Sequence, residues 1–187
     1  MPTSPNIYKF DNLVGSDLSE QVWNVLDKPI WRFGWNSNKR HKDDYAFWNA
    51  KFVGEKHQPL AETDYILFQK NWPAIAKLWE EISVIIRNEM HVPVILSRAY
   101  ANGYTYGTGG SMHKDDGVWT CLYYATMPWD PMYRGETLFF DDNKNLIDAV
   151  EYIPGRFCIF PAKMFHQAGD VMKTCNALRT IIAFKCH

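Results

Sequence analysis

The sequence predicts an α+β protein that is mainly β, with a β-sandwich or jelly roll in its second half and helices buttressing one face. Two observations lead to this fold class: helical apolar periodicity before residue 91, and short apolar or β-branched runs separated by turn formers after it. With 187 residues, the chain is long enough to bury one core. We therefore expect a single domain over residues 1–187, with helical support and lid segments in 1–95 and the jelly-roll core in 96–187.

Two amphipathic helices are predicted in the first half. The stretch SDLSEQVWNVLDKP places Asp17 and Glu20 at the spacing of a capping box, and its apolar residues repeat at helical intervals. A second helix is predicted from Pro73, which suits a first helical turn, because apolar residues then recur at helical spacing up to Met90. Residues 31–60 show no clear period, and we expect a loop there with at most a short strand.

The second half contains short runs that are typical of strands. These runs are VPVILSRAY, VWTCLYYATM, ETLFF, AVEYI, RFCIF and LRTIIAF. Segments rich in Gly, Pro, Asn and Asp separate them, such as NGYTYGTGG, PWDP and DDNKN. Six or seven short strands that follow one or two helices favour a sandwich or jelly roll over a parallel sheet.

The composition argues against several classes of partner. The formal net charge of −1 gives no general attraction to nucleic acid or to anionic membranes. No apolar segment is long enough to cross a bilayer, and we see no leader with a basic start and an apolar run. The four cysteines form no Cys-x-x-Cys pair, which favours reduced thiols and a cytoplasmic location. Membrane and nucleic-acid partners are therefore not expected.

The tetrapeptide HKDD occurs twice, at residues 41–44 and 113–116. In an extended segment, residues two apart point to the same side, so His113 and Asp115 can reach one metal ion while the lysine and second aspartate point away. A catalytic metal needs a third ligand, and His166 is the best candidate because it follows the strand-like RFCIF by a short turn. Two imidazoles and one carboxylate on one face of an octahedron favour Fe(II) and leave three positions open.

A basic residue suited to a co-substrate follows the last histidine of this set. A site of this kind commonly receives a 2-oxo acid, whose distal carboxylate needs a cationic partner. Arg179 lies in the strand-like LRTIIAF, thirteen positions after His166, and its planar guanidinium can bind a carboxylate through two hydrogen bonds. Tyr100 and Tyr124, on neighbouring strand-like runs, can add hydroxyl donors to the same carboxylate.

The order His113-x-Asp115, His166, Arg179 resembles that of the 2-oxoglutarate- and Fe(II)-dependent dioxygenases, and the prolyl 4-hydroxylase-like branch in particular. Four segments resemble motifs of that family in the same order: AYANGYTYGTGGSMHKDD, WTCLYYATMPWD, RGETLFF and YIPGRFCIFPAKMFHQA. The resemblance covers roughly residues 98–184, about half of the chain. The N-terminal half carries no such resemblance.

The resemblance implies a double-stranded β-helix (jelly roll) core in which the histidine–aspartate–histidine set binds Fe(II). It also implies that Arg179, helped by Tyr124 and Tyr100, binds 2-oxoglutarate as co-substrate, with ascorbate as a further candidate cofactor. The implied reaction uses O₂ and the oxidative decarboxylation of 2-oxoglutarate to hydroxylate an unactivated C–H bond. The first hypothesis for the substrate is a prolyl residue in a peptide or protein.

Other hypotheses stay open at this point. The substrate can instead be a free amino acid, another small metabolite or a nucleic acid base, and a non-catalytic jelly roll that binds a metal, a ligand or a partner protein is the alternative outside enzymes. For the first HKDD copy we expect a solvated turn, with a lid or substrate contact as the alternative, because no matching strands follow it. The loop MPWDPMYRG and residues 31–60 are the segments expected to cover a substrate.

Overall fold

The computed structural model describes residues 6–37, 46–55 and 58–187. Within these residues, two antiparallel β-sheets pack face to face, and helices cover the outer face of the larger sheet. The first HKDD copy, residues 41–44, lies outside the described residues, so its role as a solvated turn stays a prediction.

Seven strands form the larger sheet. In spatial order they are β1 (Tyr8–Phe10), β8 (Phe157–Pro161), β5 (Trp119–Tyr124), β10 (Arg179–Cys186), β4 (Leu96–Tyr104), β3 (Phe47–Val53) and β2 (Arg32–Trp35). The smaller sheet contains, in spatial order, β7 (Leu146–Val150), β6 (Thr137–Phe140) and β9 (Phe165–Ala168). Neighbouring strands pair antiparallel in both sheets.

The helices are α1 (Ser16–Leu26), α2 (Glu62–Asn71) and α3 (Pro73–Met90). Helix α3 buries a stripe at helical spacing, formed by Ile75, Leu78, Trp79, Ile82 and Ile86. Its Trp79 ring packs on the ring of Phe184 in β10, with centroids 5.5 Å apart. Among the described residues, no helix combines the length and the apolar character that a membrane crossing requires.

Alternation along the central strands divides the core in two. On β10, Ile182 and Phe184 join the core beneath the helices, whereas Ile181 and Ala183 join the core between the two sheets. Strands β5 and β8 alternate in the same way, because successive side chains of a strand point to opposite faces. The mainly β fold class with supporting helices, predicted from the sequence, is confirmed.

Helices α1 and α3 lie where the apolar periodicity predicts them, but the capping box was wrong. Helix α1 begins at Ser16 with Gly15 as its N-cap, and no side chain caps it. Asp17 lies in the first turn instead, where its charge favours the positive end of the helix dipole.

The N-terminal half also contains elements that the sequence did not predict. The described parts of residues 31–60 contain two strands, β2 and β3, where a loop with at most one short strand was expected, and β3 pairs with β4. The strand pattern was obscured because β3 buries the polar Asn49 beside Ala50, while all four residues of β2 are exposed. Helix α2 was not predicted because it shows no apolar stripe at helical spacing. It buries Phe68 and exposes the neighbouring Ile66 and Leu67.

In the second half, the structure places seven strands between residues 96 and 187. The predicted run AVEYI overlaps only the end of β7, since the strand ends at Val150 and a turn follows at residues 154–155. Strand β9 was not predicted, because its four residues are too short to show an alternating pattern. This short strand carries one of the candidate metal ligands.

An ion pair joins the segment after β1 to the turn before β8. The Nε of Arg156 donates to Oδ1 of Asp11 at 2.7 Å, and Nη2 donates to Oδ2 at 2.8 Å. These hydrogen bonds lower the pKa of the Asp11 carboxyl. A carboxyl whose pKa is lower in the folded state contributes stability above its unfolded pKa, and the contribution is lost as pH falls through the folded pKa.

We expect Asp11→Asn to lower the free energy of unfolding at pH 7 by about 0.5–1 kcal/mol, the range for a partly exposed pair. The difference from the unsubstituted protein should begin to shrink below about pH 4, the ordinary pKa of an unfolded Asp, and should vanish as pH falls through the lowered pKa of folded Asp11. Urea unfolding at pH 7 and at pH 3 measures both values. An equal difference at the two pH values would contradict the assigned role.

Candidate functional site

The three side chains predicted as metal ligands converge at one place. His113 and Asp115 lie in the segment between β4 and β5, and His166 lies on β9. A β-bridge joins the backbones of the two histidines through hydrogen bonds of 3.0 Å in each direction. One ligand atom from each of the three residues lies within 4.8 Å of the others. The fold thus assembles a group that can hold a metal ion from residues fifty-three positions apart.

Backbone carbonyls fix the orientation of both imidazoles. Nδ1 of His113 lies 2.8 Å from the Ser111 carbonyl oxygen, and Nδ1 of His166 lies 3.0 Å from the Met164 carbonyl oxygen. Each Nδ1–H can donate to its carbonyl, which leaves the lone pair on Nε2. Burial lowers the pKa of His166 and so favours its neutral form. Both Nε2 atoms face Asp115, at 3.6 Å from Oδ1 and 3.2 Å from Oδ2 respectively.

The carboxylate of Asp115 is buried and held by two donors. Its Oδ2 accepts a hydrogen bond of 2.8 Å from Thr120 Oγ1 and also contacts the Nζ of Lys185. Burial by itself raises the pKa of Asp115, but the ammonium of Lys185 outweighs it and holds that pKa well below its ordinary value. An anionic carboxylate therefore stands beside two imidazole nitrogens, a donor set that suits a divalent first-row metal.

The other two charged residues of this HKDD copy point away from the group, as predicted. Lys114 forms an ion pair of 2.9 Å with Asp142, and Asp116 forms one of 3.0 Å with Arg98. The motif therefore contributes only its first and third residues to the candidate metal centre.

Arg179 begins strand β10 and is only 1% exposed. Its Nε donates to the Gly135 carbonyl oxygen at 2.6 Å, and its Nη2 lies 3.5 Å from Thr137 Oγ1. The rings of Tyr104 and Tyr152 lie 5.3 Å from the guanidinium carbon. Within the described residues, Nη1 has no hydrogen-bond partner. A buried N–H without an acceptor is costly, so this position suits an incoming carboxylate.

One narrow cavity of about 40 Å³ is lined both by the two histidines and by Arg179. Four alternate residues of β10 form one wall of it: Arg179, Ile181, Ala183 and Lys185. Alternate residues of a strand face the same side, so the two cations stand at opposite ends of an apolar wall. The end with Lys185 lies beside Asp115.

The two predicted tyrosines lie toward different ends of this wall, and Tyr100 lines the cavity whereas Tyr124 does not. The Tyr124 hydroxyl donates to Thr137 Oγ1 at 2.7 Å, next to the guanidinium of Arg179. Burial raises the pKa of Tyr124, so its hydroxyl stays protonated. The ring of Tyr100 lies 5.8 Å from the Nζ of Lys185, toward the candidate metal centre.

Sequence reasoning missed Lys185 and Thr137. Lys185 lies six residues after Arg179, and this even spacing on one strand is a signal that both side chains face the same side. Thr137 carried no such signal, because the stacking of the smaller sheet on the larger one brings it to the arginine.

The loop 127–135, predicted as a lid, packs against the arginine. A Cβ added to Gly135 would lie 2.9 Å from Cδ of Arg179, so the close approach requires glycine. The buried Trp129 donates from Nε1 to the Arg134 carbonyl oxygen at 3.1 Å. The loop therefore forms part of the surroundings of Arg179, and substrate covering stays a prediction.

No protein-family model matches the sequence, and no curated protein matches it. Solved structures do match. An oxidoreductase of the 2OG-Fe(II) oxygenase family from Burkholderia pseudomallei has a TM-score of 0.70 at 9% identity, covering 96% of this chain and 84% of that one. The viral collagen prolyl hydroxylase of Paramecium bursaria Chlorella virus-1, in its 2OG complex, has a TM-score of 0.63 at 14% identity, covering 96% and 94%.

A third relative is SnoN, a non-heme alpha-ketoglutarate-dependent epimerase from nogalamycin biosynthesis. Its TM-score is 0.64 at 9% identity, covering 97% of this chain and 79% of that one. At such identities the likeness concerns the fold. The chain has the fold of 2-oxoglutarate/Fe(II) oxygenases, with prolyl hydroxylases among its structural relatives.

We expect Asp115→Asn to lower the free energy of unfolding of the metal-free protein by about 3–5 kcal/mol, because it leaves the buried ammonium of Lys185 without its anion. Urea unfolding in the presence of a chelator measures this change. The control is Asp142→Asn, which removes the exposed partner of Lys114 and should have no measurable effect. A change as small for Asp115→Asn as for the control would contradict a buried ion pair.

Proposed function

We propose that this protein is a 2-oxoglutarate- and Fe(II)-dependent oxygenase that hydroxylates a prolyl residue of a peptide or protein. The observation that carries the proposal is the single cavity lined by the two histidines and by Arg179, whose Nη1 is unpaired within the described chain. A dicarboxylic 2-oxo acid fits this arrangement, because it offers chelating oxygens at one end and a carboxylate for the guanidinium at the other.

The proposed iron ligands are His113, Asp115 and His166, which offer two imidazole nitrogens and one carboxylate oxygen. Bound Fe(II) would supply the oxygen activation that accompanies conversion of 2-oxoglutarate to succinate and CO₂. The protein's own part is to keep these donors oriented, since backbone carbonyls hold both imidazoles.

The proposed site for the distal carboxylate of 2-oxoglutarate is the guanidinium of Arg179. Its Nη1 supplies an unpaired donor, and the hydroxyl group of Thr137 lies within reach of the same guanidinium. The cavity wall between the two ends is apolar, formed by Leu122, Ile181 and Ala183. Such a wall suits the methylene carbons of the co-substrate and limits the space for water.

A prolyl substrate is supported by the viral collagen prolyl hydroxylase among the structural relatives and by exposed aromatic residues on the edge strand β2. Strand β2 exposes Phe33 and Trp35. Ser37, two residues after the end of this strand, approaches the segment that carries His113 and Asp115, because a Cβ on Gly110 would lie 2.8 Å from Ser37 Oγ. Aromatic faces beside a catalytic centre suit the flat apolar ring of proline.

We expect the purified protein with Fe(II), 2-oxoglutarate and ascorbate to form succinate slowly without substrate. His113→Ala and Asp115→Ala should abolish this turnover, because each removes a metal ligand, whereas His41→Ala should leave it intact. Succinate is quantified by mass spectrometry, and omission of ascorbate tests that expected cofactor. Equal loss in the His41 variant would refute the choice between the two HKDD copies, and the absence of succinate under all conditions would favour a binding module.

We expect Arg179→Met to weaken 2-oxoglutarate binding by about thirtyfold or more, the equivalent of about 2 kcal/mol for a charged hydrogen-bonding partner. Titration of the Mn(II)-loaded protein by calorimetry measures the dissociation constant. Arg156→Met is the control, since Arg156 pairs with Asp11 and does not line the cavity. Unchanged affinity in the Arg179 variant would remove its anchoring role.

The substrate class is tested by comparing proline-containing peptides with free amino acids and with single-stranded oligonucleotides. We expect peptides to increase succinate formation and to gain one oxygen atom on proline, detected by tandem mass spectrometry. Stimulation only by a small molecule would leave the oxygenase proposal in place and refute the prolyl substrate. The relative from nogalamycin biosynthesis makes that second outcome the main alternative.

A further inference from the structure

Lys185 is a buried cation for which the proposed reaction has no assigned role. It is 3% exposed, lies near the end of β10 and lines the same cavity as the two histidines. Its Nζ contacts Oδ2 of Asp115 and lies 3.1 Å from Thr120 Oγ1. A lysine ammonium is therefore in direct contact with a carboxylate that we propose as a metal ligand.

The two carboxylate oxygens of Asp115 have different surroundings. A carboxylate oxygen has two lone pairs for hydrogen bonding or for metal coordination. Oδ2 receives both the hydroxyl of Thr120 and the ammonium of Lys185. The Nε2 of His166 lies 3.2 Å from Oδ2. Both lone pairs of Oδ2, however, already face the donors on Thr120 and Lys185. Oδ1 faces the Nε2 of His113 at 3.6 Å and is the oxygen that stays available to a metal.

A neighbouring ion pair, between Arg98 and Asp116, determines which aspartate Lys185 contacts. On the neighbouring strand, Arg98 is the cross-strand partner of Lys185 and forms its own ion pair with Asp116. The two adjacent cations are thus matched with the two adjacent aspartates of the HKDD segment. Because Arg98 is already paired with Asp116, Lys185 forms its ion pair with Asp115.

We propose that Lys185 is a positioning residue that restricts Asp115 to coordination of the metal through Oδ1 alone. This inference rests on the proposed metal site. Coordination through one carboxylate oxygen and two imidazoles leaves three positions of an octahedron, as a chelating co-substrate plus O₂ requires. Coordination through both carboxylate oxygens would fill one of these positions.

The test counts water molecules on bound Mn(II), used as the probe metal, by water-proton relaxation in the absence of 2-oxoglutarate. In the unsubstituted protein the three open positions hold exchangeable water. Lys185→Met keeps the aliphatic stem but removes the donor, so Asp115 can bind through both oxygens. The relaxation enhancement per bound Mn(II) should then fall to about two thirds, since two waters remain of three. Lys185→Arg, which restores a cationic donor, should recover most of the loss.

Lys163→Met is the matched control, because Lys163 also contacts Asp115 but donates to its backbone carbonyl oxygen, at 3.1 Å. It should retain the full relaxation enhancement. Thr120→Val, which is nearly isosteric, removes the other donor to Oδ2 and should lower the enhancement in the same direction as Lys185→Met. If Lys185→Met does not fold, as judged by circular dichroism with Mn(II) present, Lys185→Leu takes its place, because it also removes the donor to Oδ2.

The experiment distinguishes failure of the proposed metal site from failure of the proposed role of Lys185. If the unsubstituted protein binds no Mn(II), or if His166→Ala binds it equally well, the proposed metal site itself fails. If the metal binds at the site but the enhancement is unchanged in Lys185→Met, or in Lys185→Leu when the former does not fold, the metal site stands and the role of Lys185 is overturned.

Discussion

Buried charge on the central strand β10 is the constraint on which the rest of the site depends. This strand carries Arg179 at its start and Lys185 near its end, and both side chains are almost fully removed from solvent. Desolvation of a cation costs several kcal/mol unless an anion or good acceptors replace the lost water. Lys185 forms an ion pair with Asp115, and this ion pair links the second HKDD segment to β10. The guanidinium of Arg179 donates to a carbonyl oxygen and lies near two tyrosine rings, and within the described chain its Nη1 has no hydrogen-bond partner.

The two faces of the larger sheet have different surroundings. Its outer face packs on the helices and forms an apolar core, whereas its inner face carries the cavity with the two cations, Tyr100 and the candidate metal-ligand group. Alternation along each strand makes this division possible, since neighbouring residues serve opposite faces. The high aromatic content, 16% of the residues, serves both faces, because aromatic rings fill the outer core and also surround the guanidinium.

The structural relatives share the fold at identities of 9–14%. Such divergence is compatible with one fold because a core tolerates many apolar substitutions if the pattern and total volume are kept. The identity of a substrate depends on a few side chains at the mouth of the cavity, and the apolar pattern of the core does not constrain these side chains. For that reason the fold and the arrangement of the centre support an oxygenase more strongly than they support any one substrate.

The sequence alone determined the mainly β second half, helices α1 and α3, and the candidate group of His113, Asp115, His166 and Arg179. These features depend on local periodicity and on the order of side chains along the chain, which a sequence displays directly. The tertiary structure alone decided that β2 and β3 extend the large sheet and that Thr137 reaches the arginine. It also decided that Lys185 holds the aspartate. These features depend on which strands pair and stack, and contacts between segments far apart in the chain leave no periodic pattern in either one.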